Sequence, residues 1–204
     1  MSLSKGTRVT LFVVLLLIVD QVVKILVKTH MSIGQSIPVF GTWFQILYIE
    51  NNGMAFGLQF GDGIGKLALS LCRIGLIALI IVYLRKLLRR PGVPTGVLFG
   101  LAAILTGAVG NLIDSMFYGL IFEPHAPFLF GKVVDMLYFP LIDTTLPETF
   151  PIWGGRHVIF FRPIFNIADS CITCGAIYLL LFQWKFFSKG EKEKEIEENP
   201  ENNS

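Results

Sequence analysis

Pro163-Ile164-Phe165-Asn166-Ile167-Ala168-Asp169-Ser170 decides how this chain is read, because it sets an amide and a carboxylate at the mouth of an apolar segment. From Ser170 to Trp184 no residue is charged. With its flanks the run is long enough to cross a bilayer as a helix, which takes about 20 residues. Asp169 is thereby placed at or just inside the membrane boundary, where burying a carboxylate is costly and calls for a reason. If the helix has begun by Asn166, the i, i+3 spacing puts Asn166 and Asp169 on one face, so the amide can help position the acid. Asp135, in Val133-Val134-Asp135, is the carboxylate to pair with it.

The bulk composition agrees with a membrane-embedded chain. Of 204 residues, 53% are hydrophobic and 16% charged, and the mean hydropathy is +0.64, too apolar for an ordinary soluble domain. The net charge of +2 matters less than where the basic residues collect, and nucleic acid is not an expected partner. Cys72, Cys171 and Cys174 all lie in apolar segments and suggest neither a disulfide framework nor a zinc ribbon. The Cys171-Ile172-Thr173-Cys174 pair is expected to be small buried packing residues.

Working outward, Lys5 and Arg8 precede the apolar run Val9 to Val19, which would open a signal peptide if a small-residue cleavage site followed. Instead Asp20-Gln21-Val22-Val23-Lys24 follows, and the pattern continues to Val27. Spans are expected at about 9–27, 65–84, 91–113 and 164–187. Residues 29–64 contain Trp43-Phe44-Gln45-Ile46-Leu47-Tyr48, which favours strand and suggests a small β platform with interfacial aromatics. Within it Asn51-Asn52-Gly53 reads as a turn. The loop 119–163 carries Pro124, Pro127, Pro140, Pro147, Pro151 and Pro163, which rule out a continuous helix, while 132–139 and 157–161 are candidate strands extending the platform. Residues 1–189 then form one membrane-embedded domain and 190–204 a disordered charged tail. The expected fold is an all-α bundle of four transmembrane helices with a small extracytoplasmic β platform. Lys5 and Arg8, the cluster Arg85, Lys86, Arg89 and Arg90, and Lys185 and Lys189 fall on one side of four spans, which the positive-inside bias makes cytoplasmic together with both termini. The platform, the 119–163 loop and the ends carrying Asp114 and Asp169 share the outer side.

Acids in or near the membrane that converge on one side point to function. Two classes fit. In one, Asp135 and Asp169 share a proton, so that one acts as general base on water while the other polarises a carbonyl, as in an aspartic protease. In the other, Asp20, Asp114 and Asp169 line a proton or cation path through a small transporter. Two acids at segment ends near water, the accompanying Asn residues and the absence of a helix repeat favour the hydrolase. His30, His125 and His157 are scattered without ligand spacing, so no metal is expected, although a divalent ion bridging the two acids stays open. Asp20 and Lys24, at i, i+4, can pair on one helix face, either as a packing device or as support for the site.

Asp20-Gln21-x-x-Lys24, Asn51-x-Gly53-x-Ala55-Phe56, Gly110-Asn111-x-x-Asp114, Val133-Val134-Asp135 and Phe165-Asn166-x-Ala168-Asp169, in that order, resemble the lipoprotein signal peptidase (signal peptidase II) family. The resemblance runs from Asp20 to about Trp184. It implies an aspartic endopeptidase of the bacterial inner membrane, working without a cofactor as a monomer among membrane lipids. Its expected substrates are diacylglyceryl-modified prolipoproteins, whose signal peptides it removes just before the lipidated cysteine. By motif the dyad falls on Asp135 and Asp169, and Asp20, Lys24, Asn51, Gly53, Asn111, Asp114 and Asn166 take supporting places. Two departures stand out. Ser115 occupies the position where the family usually has Arg, with Arg156 and Arg162 as candidates to supply the missing positive contact to substrate. The stretch from Gly119 to Gly131 is longer than the family's usual link and Leu141 to Arg162 adds more, which makes Asp143 the fallback for Asp135, although it is expected to be a solvated loop acid.

Overall fold

The computed structural model describes residues 3–52 and 64–188. Gly53 and the rest of its turn, and the tail 190–204, lie outside them.

Helix α1 spans Lys5–His30, starting where the Ser4 side chain accepts from the Thr7 N–H at 3.1 Å and ending on Lys28 and His30, which suit the negative end of the helix dipole. Its buried Asp20, Lys24 and Val27 share one face, while Leu11, Val14, Leu15, Ile18 and Val22 are exposed, as expected of a helix that faces lipid. Helix α2 spans Ile64–Arg89 and α3 Thr95–Ile113. The end of α2 runs past the expected 84 because Lys and Arg are good helix formers and Pro91 supplies the stop. The third span does not close on Asp114. A π-helical turn, Asp114–Tyr118, and the short α4, Gly119–Phe122, prolong it, so that Asp114 is fully buried rather than near water. A lysine from α1 neutralises it there, so its carboxylate does not need solvent. Helix α5 spans Ile167–Phe182, bends at Gln183 and resumes over 184–188.

Among the described residues three helices, Lys5–His30, Gly65–Arg89 and Thr95–Phe122, are long and apolar enough to cross a membrane, and α5 is apolar but shorter. Helix α3 is central, with α1, α2 and α5 all packed on it. Its Gly and Ala residues allow this. A Cβ on Gly107 would stand 2.1 Å from the Ala168 carbonyl oxygen, and one on Gly110 would stand 2.7 Å from Asp20 Oδ2. Away from the sheet the core closes on Val97, Leu98, Ala102, Leu84 and Leu179. Cys171 is half-buried and Cys174 exposed, so the pair is not the buried packing expected of it.

Four strands, β1 (Ser36–Phe40), β2 (Phe44–Asn51), β3 (Val133–Tyr138) and β6 (Ile164–Phe165), form an antiparallel sheet in the order β1-β2-β3-β6. The expected platform therefore gains β3. It does not gain residues 157–161: β5 (His157–Phe160) pairs only with β4 (Ile142–Thr145) in a separate two-stranded sheet. Strand-forming composition marks an extended segment but does not name its partner. Stacked rings of Phe44 and Phe139, 4.6 Å apart, and of Phe139 and Phe165 run across the main sheet.

The bundle has two distinct ends. Lys5 Nζ donates to the Val93 carbonyl at 3.1 Å, which sets the start of α1 beside the basic α2–α3 connection, and Gln183 of the α5 terminus lies against Gly96. At the other end Lys28 pairs with Glu50 of β2, and β6 leads straight into α5.

Candidate active site

Strand alternation and a helix cap place the two carboxylates. On β3, Val134 and Met136 point into the cluster of Val27, Tyr48 and Tyr118, so Asp135 points to the opposite face. Its register partner on β2 is Ile49, and Asn51, two residues on, shares its face. Asn51 Nδ2 donates to Asp135 Oδ2 at 3.1 Å, and Asn166 Nδ2 donates to Oδ1 at 2.8 Å. Asn166 is the N-cap of α5 and Asp169 its third residue, in a reciprocal capping box. The Asp169 N–H donates to Asn166 Oδ1 at 2.8 Å, and the Asn166 N–H reaches back to Asp169 Oδ2 at 3.4 Å. One asparagine therefore orients both acids.

A second amide fixes Asp169 from behind. Lys24 Nζ, which can only donate, meets Asn111 Oδ1 at 3.0 Å, so Asn111 must turn its Nδ2 to Asp169 Oδ1, at 2.7 Å. Asn166 Nδ2 also donates to Asn111 Oδ1, at 3.1 Å. Lys24 itself is buried between Asp20 Oδ2 at 3.0 Å and Asp114 Oδ2 at 2.7 Å. The expected Asp20–Lys24 pair is thus part of a three-residue ion cluster. Asp20 Oδ1 accepts from the Ala168 N–H at 2.9 Å, pinning the first turn of α5. Gln21, quoted in the first motif but given no role from sequence, donates to Asp114 Oδ1 at 3.0 Å and to Asp20 Oδ2 at 3.1 Å, completing the cluster.

The environments of the two carboxylates differ. Asp135 is 3% exposed, and burial pushes its carboxyl up to about 7, reinforced by the charge of Asp169 and opposed by the amides of Asn51 and Asn166. Asp169 is half-buried at the start of α5, where the positive end of the helix dipole faces it. The pair is suited to hold one proton on Asp135 at neutral pH.

The position that separates this chain from the usual motif, Ser115, lies buried in the π-helical turn, its Oγ donating to the Asn111 carbonyl at 3.0 Å. The cation beside it is Arg73 of α2, whose Nη1 donates to Ser115 Oγ at 3.2 Å. Arg156 and Arg162, the candidates from sequence, are exposed. The signal for Arg73 was present: a single arginine deep in an apolar span needs partners. Asp143 lies on β4, in the sheet that does not include β3. Among the described residues no three His, Cys, Asp or Glu side chains stand together as a metal site.

A second charged cluster fastens the sheet to the helices. Glu50 takes Lys28, Tyr48 Oη at 2.6 Å and Lys132 at 3.2 Å. Burial pushes the Glu50 carboxyl up, but these donors outweigh it and hold it down at about 2. Since β2 carries both Glu50 and Asn51, the cluster also fixes the strand that presents Asn51 to Asp135.

The arrangement, two carboxylates tied by one asparagine and backed by an ion cluster in a helical membrane bundle, can be compared with known proteins. The family model described as signal peptidase (SPase) II matches residues 12–185. The chain is 46% identical over 193 residues to a protein of Porphyromonas gingivalis named lipoprotein signal peptidase, covering 88% of this chain and 84% of that one. It is 38% identical over 175 residues to the protein of that name in Amoebophilus asiaticus, covering 82% and 73%. A solved bacterial membrane enzyme superposes with a TM-score of 0.60 at 25% identity, over 90% of this chain and 91% of that one. Every segment that supplies a residue to the two carboxylates, from Asp20 on α1 to Asp169 on α5, falls within residues 12–185 that the family model matches, and the chain belongs to the signal peptidase II family.

Proposed function

We propose that this chain is an aspartic endopeptidase of the bacterial inner membrane that removes the signal peptide from diacylglyceryl-modified prolipoproteins, with Asp135 and Asp169 as the catalytic dyad. Family membership supports prolipoprotein signal-peptide cleavage and disfavours the transporter reading. One observation carries the catalytic type: Asn166 holds both carboxylates, donating to Asp135 while capping the turn that bears Asp169. In this reading Asp169 takes a proton from the attacking water. Asp135, still protonated below about pH 7, donates a hydrogen bond to the scissile carbonyl oxygen. Proton transfer to the leaving amine then breaks the peptide bond. Asn111, Asn166 and Asn51 keep the acids aligned, and Asp20, Lys24 and Asp114 keep Asn111 aligned. Both acids come from one chain, so a monomer suffices, and the reaction as drawn needs no cofactor.

The bundle's two ends support four spans with the sheet outside. Helix α5 runs from the sheet to the end where Lys5 and the cluster Arg85, Lys86, Arg89 and Arg90 gather, and the positive-inside bias makes that end cytoplasmic. The dyad then faces the outer leaflet, where the lipidated cysteine of a substrate emerges.

The deciding experiment is cleavage of a lipidated prolipoprotein by purified protein. Asp135→Asn and Asp169→Asn are each expected to abolish it while leaving the protein folded in detergent, since an amide neither accepts the proton of water nor shares one with its partner. An active Asp135→Asn variant ends the dyad assignment. Activity lost to a chelator and restored by a divalent ion favours instead a metal bridging the two acids.

A further inference from the structure

Arg73 lies two to three turns into an apolar helix, half-buried, and among the described residues its guanidinium makes one hydrogen bond, to Ser115 Oγ. Asp169, Asp114 and Asp135 are all within its electrostatic reach, yet none is close enough to it for an ion pair. Each of those carboxylates already has donors: Asp114 has Lys24 and Gln21, Asp135 has Asn51 and Asn166, and Asp169 has Asn111 and the Asn166 N–H. Lys24 provides the contrast. A cation kept for structure is enclosed, and Lys24 is fully buried against Asp20, Asp114 and Asn111. Arginine carries five N–H donors in a rigid fork and cannot give up its charge. Arg73 therefore holds donors in reserve beside the dyad, and burying them unused is expensive.

We propose that Arg73 is a substrate-binding residue that donates from α2 to a carbonyl oxygen of the lipidated peptide next to the scissile bond. Ser115 steers it, since its Oγ is committed as a donor to the Asn111 carbonyl and so presents lone pairs to the guanidinium. A neutral carbonyl suits the position because the peptide at the cleavage site has no free carboxylate, and a donor-only fork can hold it without competing for the proton of the dyad. This assignment rests on the peptidase reading above.

The test uses the full chain in detergent or nanodiscs with a synthetic lipidated prolipoprotein signal peptide. Cleavage by the unmodified protein checks the peptidase reading independently, and its failure would sink that reading whatever Arg73 does. With cleavage established, Arg73→Gln is expected to raise KM about tenfold or more, the cost of one hydrogen bond to a charged donor, without moving the alkaline limb of the pH profile. In the inactive Asp169→Asn background the same change should weaken binding of the intact peptide to a similar degree. Adding Ser115→Arg to Arg73→Gln should restore most of the loss, because the charge then reaches the same space from α3. An unchanged KM, or a shifted pH profile at constant KM, would overturn the proposal and leave Arg73 a counter-charge to the acids. Should Arg73→Gln not fold, Arg73→Lys carries the test. It keeps the charge but replaces the fork with a single point, so KM is expected to rise several-fold, and an unchanged KM overturns the proposal equally.

Discussion

Asp135 and Asp169 are alike chemically and unlike in place, and the difference sets a pH dependence. Burial pushes the Asp135 carboxyl up to about 7, so on the proposed mechanism cleavage is expected to fall as pH rises through that value and the donor to the scissile carbonyl is lost. Because the carboxyl binds its proton more tightly folded than unfolded, the contribution to stability has the same sign: present below the ordinary carboxylate range near pH 4, and lost as pH climbs through about 7. Asn51 opposes the rise, so Asn51→Ala should move the alkaline limb of the cleavage profile upward while lowering the maximum rate. A limb that stays in place, or moves down, would contradict the role given to that amide. At this scale the sequence was informative wherever the chemistry was local. Asn166 and Asp169 fall into a capping box that their spacing implies, and Asp20 and Lys24 pair at i, i+4. A lone arginine in an apolar span signals that Arg73 needs partners, but that its partner is Ser115 was not legible, because the contact crosses from α2 to α3 and no spacing along the chain encodes it.

Among the elements, hydropathy marked the three long helices, since an apolar run long enough to cross lipid has few other uses, while the expected span 164–187 is a continuous helix only over Ile167–Phe182. It failed where the signal was conformational. The π-helical turn that carries α3 past Asp114 has no period of its own in the sequence, β5 looks like a platform strand until its pairing is known, and β4 lies where a loop is expected. The ion cluster shows why neighbouring elements must be read together. From sequence, Asp20 and Lys24 pair on α1 either as a packing device or as support for the site, and replacing both by leucine should be harmless if the pair only packs. In the fold Lys24 also neutralises Asp114 on α3 and orients Asn111, while Asp20 accepts from the first turn of α5. Asp20→Leu with Lys24→Leu therefore leaves the Asp114 carboxylate buried without its cation, a defect of about 3–5 kcal/mol for a broken buried pair. The double variant is expected to be destabilised, with a lower melting temperature in detergent, and to cleave slowly. Full stability and full activity in that variant would mean that the three helices do not depend on the cluster.

For the whole molecule, charge is segregated along the helix axes, and this supports the compartment proposed for each end. The end holding Lys5 and the α2–α3 connection also holds the terminus of α5, so Arg85, Lys86, Arg89, Arg90 and Lys185 collect together. The opposite end carries the sheet, where Glu50 and Glu123 are paired with Lys28 and Lys132 and leave little net bias. Moving the first end across a membrane would mean translocating that basic cluster, which the insertion machinery disfavours, whereas moving the second carries paired charges and aromatic strands. The proposed four-span topology has an even number of crossings between Ser4 and Ser188 and takes α5 as the last one, although its continuous length of 16 residues is only about 24 Å. The bend at Gln183 and the further helical residues 184–188 extend it toward the basic end, with Trp184 exposed at the level where interfacial aromatics sit. Tags after Ser2 and at Ser204 should both report cytoplasm, and a tag near Glu148 the outer compartment. Termini on opposite sides would mean that α5 does not cross. A cytoplasmic tag near Glu148 would put Asp135 and Asp169 on the wrong side of the membrane for a cysteine lipidated in the outer leaflet.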